Sequence, residues 1–109
     1  MKIIRNRLIP FKGFKAINLF GVLFVRKKAR VTQRMINHES VHTAQMKETL
    51  YVFFYLWYAV EWLVRLIITR DARDAYRTVS FEREAYDNEF DRMYLADREP
   101  WAWFEYLRG

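Results

Sequence analysis

Both histidines of the chain fall within one run of five residues, His38-Glu39-Ser40-Val41-His42. On an α-helix, positions i and i+4 share a face, so His38 and His42 aim their imidazoles at one metal ion. Glu39 stands about 100° further round the helix, beside the metal rather than on it. A carboxylate there suits proton transfer, because zinc lowers the pKa of a bound water to about 7. The bland alternative is two helix-surface histidines beside a salt-bridging glutamate.

A catalytic zinc site takes three protein ligands and leaves a fourth position open. With no third histidine and no cysteine, the third ligand must be a carboxylate. Glu82, in Phe81-Glu82-Arg83-Glu84-Ala85-Tyr86, lies 40 residues beyond His42, and Glu61 lies 19 beyond it. A single unbroken helix would separate Glu61 from His42 by about 28 Å. A chain reversal near 46–50 is therefore required, although no Gly or Pro marks one. Glu61 also stands four residues before Arg65, where an ion pair would satisfy both charges inside an apolar helix. Glu82 needs that reversal too but gains a second turn at 69–74, so both glutamates stand as candidates.

Other polar residues share these two faces. Gln45 continues the stripe of His38 and His42, where it could orient a ligand, touch substrate or make a plain interhelical hydrogen bond. Ala85, Tyr86 and Glu89 follow Glu82 at i+3, i+4 and i+7. Ala85 lets two helices approach closely. Tyr86 could donate to a developing oxyanion. Glu89 could accept the second N–H of a ligand histidine.

The elements that must position these groups can be read from composition and pattern. A chain of 109 residues, 52% hydrophobic and 29% charged, suits one folded domain and excludes intrinsic disorder. The absence of cysteine excludes a disulfide scaffold, a thiolate zinc finger and a cysteine nucleophile. Residues 1–30 read as extended structure punctuated by Pro10 and Gly13, with two short strands at about 15–20 and 22–26 and Gly21 at a turn or bulge. Thr32 is a candidate N-cap for a helix over 33–48. Neither Gly nor Pro occurs from 33 to 99, which argues for long helices.

Residues 50–68 are apolar at 17 of 19 positions, interrupted only by Glu61 and Arg65. The internal charges, and the Trp and Tyr residues spread along the stretch, favour a buried core helix. A membrane-surface helix and a membrane span are the other readings. A loop at 69–74 leads into a third helix over about 74–96, and the aromatic tail at 101–106 is suited to dock on the core.

HExxH followed on a later helix by Glu-x-x-Ala resembles the gluzincin group of zinc metallopeptidases. In many of these the first Glu of an E-x-x-A-D or E-x-E-A-N segment is the third ligand. The compact length is similar to that of the minigluzincins, their single-domain members. The resemblance implies Zn²⁺ held by His38, His42 and Glu82, with Glu39 as general base. Tyr86 stands where Asp or Asn is usual. The spacing of Glu61 is instead similar to that of the one-zinc aminopeptidases, although Val60-Glu61-Trp62 lacks their Asn-Glu-Gly.

The expected fold is α+β over residues 1–109: a short basic N-terminal β-hairpin (1–30) followed by three helices (33–109) in a compact zincin-like domain. The expected activity is zinc-dependent hydrolysis of a peptide or protein substrate, with a strand near 15–26 aligning it by strand addition. The alternative is a non-catalytic helical domain that binds a membrane surface or a protein partner and keeps a structural or decayed zinc site.

Charge bears on this choice. Residues 1–38 hold ten Lys/Arg and no acid, and the remainder holds nine bases and thirteen acids. The basic third could face an anionic membrane surface. No nucleic-acid motif accompanies it. The sequence also predicts a cytoplasmic, potentially membrane-associated chain without a signal peptide: residues 17–25 carry Asn18 and Gly21, and no small-residue cleavage site follows.

Overall fold

The computed structural model describes residues 2–7 and 16–107, so Pro10 and Gly13 lie outside the described residues. The chain forms an α+β domain in which a small sheet and several helices meet around the HExxH helix.

The sheet has three strands where the sequence predicts a hairpin. β1 (Lys2–Asn6), β2 (Ala16–Leu19) and β3 (Val22–Arg26) lie in the order β1-β3-β2. β2 pairs antiparallel with β3, whereas β1 pairs parallel with it, Ile4 opposite Phe24. A five-residue strand rich in Lys and Arg carries too little apolar alternation to be read as a strand by itself. Leu23 and Val25 are fully buried, as alternate residues on the covered face of a sheet should be. Phe20 and Gly21 form the two-residue turn, with φ of 53° and 89°. Positive φ at both central residues is the geometry that matches strand twist, and only Gly21 adopts it without steric cost.

α1 (Gln33–Glu48) occupies the span expected of it, and Thr32 caps it by accepting from the Met35 N–H at 3.1 Å. The reversal after α1 uses no glycine. Leu50 and Tyr51 take φ of 58° and 61°, and the Tyr51 N–H closes the helix end on the Met46 carbonyl at 2.7 Å. Left-handed non-glycine residues leave no mark in the sequence.

α2 (Val52–Thr69) is not the buried core helix that its composition suggests, since only Phe54 and Glu61 along it are buried. The core forms instead from Met46, Phe54, Val79, Phe81 and Trp103, so the aromatic tail supplies its largest member.

The single third helix expected over 74–96 is broken into pieces. α3 (Ala72–Thr78) is capped by Asp71, and α4 (Ser80–Asn88) begins after Val79 turns extended at φ −59°, ψ 133°. The break has a physical cause. The buried Glu61 carboxylate accepts from both the N–H and the hydroxyl of Ser80, each at 2.6 Å, and so starts a new helix there. A short α5 (Tyr94–Asp97) and a 3-10 segment (Ala102–Leu107) follow.

Candidate metal centre

α1 and α4 pack together and bring their polar stripes face to face. His38 Nε2 and His42 Nε2 lie 3.2 Å apart, and each lies 3.0 Å from Glu82 Oε1. Glu61 is not in this cluster: its oxygens are taken by Ser80 and by the Trp57 indole N–H at 3.1 Å. Nor does it pair with Arg65, whose guanidinium donates to the Leu107 carbonyl.

Partners outside the triangle decide which ring nitrogens face inward. His38 Nδ1 is 2.9 Å from the Glu89 carboxylate, which only accepts, so that nitrogen carries the proton. His42 Nδ1 is 2.7 Å from Gln45 Oε1. The Gln45 amide nitrogen donates to the Phe81 carbonyl at 3.0 Å and to Glu84 at 2.9 Å, which fixes the amide oxygen as the acceptor toward His42. Both rings therefore turn Nε2 inward, where it offers a lone pair to a cation or, protonated, donates to Glu82 Oε1. On Glu82, Oε2 accepts the Tyr58 hydroxyl at 2.7 Å and leaves Oε1 facing the histidines.

Three acceptors about 3 Å apart with converging lone pairs repel one another unless protons or a cation lie between them. Their separations approach the ~3.3 Å edge of a tetrahedron with bonds of about 2.0–2.1 Å. Two neutral imidazoles and one carboxylate thus fit a small divalent cation. Buried His38 and His42 with half-buried Glu39, their ligand atoms all within 4.8 Å of one another, form a group that could hold a metal ion.

Charges in this cluster are strongly coupled. Burial disfavours the His42 imidazolium, but the Glu82 carboxylate outweighs it and raises that group to about 9. Burial likewise opposes charge on Glu82, yet His42 and His38 hold its carboxyl well below the usual range. Glu39 moves the other way: burial pushes its carboxyl up, and the two histidines offset this only in part. Burial and the nearby Glu82 charge also raise the Tyr58 hydroxyl, which keeps it a donor.

A cavity of about 680 Å³ opens beside the cluster. Glu39, His42 and Glu82 lie in its wall, with Ile17 and Asn18 of β2 on one side and Phe54, Tyr58 and Tyr76 on the others. None of the described tail residues 99–107 lines it, so the aromatic tail is no cover for this opening.

Tyr86 is not in the wall either. One turn beyond Glu82, its ring packs edge-on against His38 at 4.4 Å, and its hydroxyl meets that of Tyr76 at 2.9 Å. Tyr76, with Tyr55 and Tyr58, lines the cavity in its place.

Several supporting residues were not evident from the sequence. Asn18 donates to the Glu39 carbonyl at 3.0 Å and to Thr43 at 3.1 Å, which ties the edge of the sheet to the HExxH helix. Tyr58 and Tyr76 were hidden among many aromatics; the available signal was that a buried tyrosine hydroxyl needs a partner. Glu84 is fully buried and joins Gln45 to Arg98 and Tyr94. Compared with protein-family models, curated proteins and solved structures, the chain matches none, so the chemistry of the site is carried by its own geometry.

Proposed function

We propose that the chain is a zinc-dependent peptidase of gluzincin type, with His38, His42 and Glu82 as the metal ligands. The observation that carries this reading is the inward triangle of two Nε2 atoms and one Oε1 at 3.0–3.2 Å, each held in that state by a partner outside it. Two histidines and a carboxylate beside an open cavity make a catalytic zinc set, whereas a structural zinc is closed by four protein ligands. That contrast favours an enzyme over a domain with a structural zinc.

When bound, the cation supplies Lewis acidity, polarising a carbonyl and making water acidic enough for a carboxylate to deprotonate. Glu39 would take that proton and pass it to the leaving amine. Its place in the cavity wall beside His42 suits both halves of the exchange. Tyr76, in the cavity wall with Tyr86 behind it, is the phenol suited to donate to the oxyanion. Ile17 and Asn18 lie on the outer strand of the sheet, where an extended peptide can add as a further strand.

The test is elemental analysis of protein purified without chelator, with His42→Ala, Glu82→Ala and Glu39→Gln alongside and turnover read on a quenched-fluorescent peptide library. The reading expects about one zinc per chain, lost in the first two variants. Glu39→Gln should keep its zinc and lose turnover. No metal in the wild type after zinc is added back overturns the site, and turnover surviving Glu39→Gln overturns the mechanism.

A further inference from the structure

α2 wears its apolar residues on the outside. Its two charged side chains turn inward, Glu61 to Ser80 and Arg65 to the Leu107 carbonyl. The outward face is apolar from end to end: Val52, Leu56, Val60, Leu63 and Ile67 follow one another at three- and four-residue steps, and each is between 52% and 76% exposed. Eighteen residues give this face a length of about 27 Å. Soluble monomers rarely leave so long an apolar strip in water.

A basic sheet adjoins one end of the strip, and the other end carries both signs, with exposed Asp71 and Asp74 beyond Arg70. Every charged residue before Glu39 is Lys or Arg, so the described part of the sheet carries bases only. That sheet reaches the start of α2 through its β2–β3 turn. Phe20, 58% exposed, packs on the rings of Tyr51 and Tyr55 at 6.2 and 5.3 Å, and its N–H donates to the Tyr55 hydroxyl. Exposed Lys47 precedes the helix and Arg70 closes it. Half-buried Trp57 and Trp62 lie along α2, and indoles favour the boundary between apolar and polar layers.

We propose that α2 lies in the plane of an anionic lipid bilayer, its outward face among the acyl chains and the basic sheet against the headgroups. A span across the bilayer would expose Glu61 and Arg65 to lipid, and the inner face of α2 is already packed with Phe54 and Tyr58 in the cavity wall. A second copy of the chain is the competing occupant, and the experiment below separates it from a bilayer. The proposal does not depend on the peptidase reading.

The experiment is flotation of the full chain with vesicles of phosphatidylcholine alone or with 30% phosphatidylglycerol, at low and high salt. The proposal expects binding to the anionic vesicles, at least tenfold weaker binding to the neutral ones, and a blue shift of tryptophan emission on binding. The double variant Leu63→Glu/Ile67→Glu should lose at least tenfold in binding with its circular dichroism unchanged. Lys27→Glu/Lys28→Glu should weaken binding and flatten its salt dependence. Absence of flotation at low salt overturns the proposal, as does wild-type binding by Leu63→Glu/Ile67→Glu. A wild-type dimer that this variant dissolves, without vesicle binding by either protein, assigns the face to a second copy instead.

Discussion

Gln45 Oε1 accepts the Nδ1 proton of His42 at 2.7 Å, and the other end of the same amide is spent on the Phe81 carbonyl and the Glu84 carboxylate. One fully buried side chain thus sets the tautomer of a candidate ligand and joins the HExxH helix to α4. Replacing Gln45 with Ala leaves the His42 N–H without an acceptor and the Glu84 carboxylate short of a donor. Groups that orient a metal-binding histidine are worth about 10–100-fold in metal affinity. A competition titration against a zinc chelator should show a loss of that size in Gln45→Ala.

Tyr58 makes a second, separable contribution. Its hydroxyl holds Glu82 Oε2 at 2.7 Å, so that Oε1 alone faces the histidines. Tyr58→Phe keeps the ring, which stacks near Phe81 at 6.3 Å, and removes only the donor. A hydrogen bond to a charged group contributes about 1.5–3 kcal/mol, so zinc affinity should fall roughly tenfold or more. Chemical denaturation of the metal-free variant reports the part of the loss that belongs to stability. Unchanged zinc affinity would mean that Glu82 needs no help to present one oxygen.

A buried ion pair links the tail to the site. Arg98 has a side chain only 5% exposed, and it pairs with the fully buried Glu84 at 2.5 Å and with both oxygens of Glu48 at 2.8 and 3.0 Å. Removing one partner of a buried pair strands the other and costs about 3–5 kcal/mol. Arg98→Met should lower the denaturation midpoint accordingly. Arg98→Met/Glu84→Gln should recover part of the loss, because the fully buried one of the two stranded carboxylates is gone. The recovery, read against both single variants, measures the coupling directly.

These residues show which parts of the molecule were legible in advance. α1 was legible because Thr32, a helical run and the i,i+4 histidines agree on one element. The β2–β3 turn was legible because Gly21 interrupts an apolar run. Glu82 could be set ahead of Glu61 on the second turn at 69–74 and the Glu-x-x-Ala spacing, and it lies 3.0 Å from both histidines. The reversal at Leu50–Tyr51 was invisible, since it is built from residues that ordinarily avoid positive φ. The break at Val79 was invisible for another reason: the carboxylate that causes it lies 19 residues away in sequence. The exposure of α2 could not be read from hydropathy, which records that a helix is apolar but not which side of it meets other chain.

Glu61 offers the last test, because two readings of it differ in outcome. Its carboxylate is 9% exposed and accepts three hydrogen bonds, two of them from Ser80 at the first turn of α4. A carboxylate at a helix N-terminus meets both unpaired N–H groups and the positive end of the helix dipole. Glu61→Gln keeps the shape but turns one acceptor into a donor that faces donors. Leaving such buried groups unmatched costs about 1–3 kcal/mol, so the denaturation midpoint should fall. Ser80→Ala should produce part of the same loss, and the two changes should add less than independently. Because α4 carries Glu82 two residues after Ser80, zinc affinity should weaken as well. At saturating zinc, however, Glu61→Gln should still bind about one equivalent, since Glu61 positions the helix rather than the metal. Loss of that equivalent at saturation, with the fold intact by circular dichroism, would instead make Glu61 a ligand and require α2 to approach α1 more closely when metal is bound.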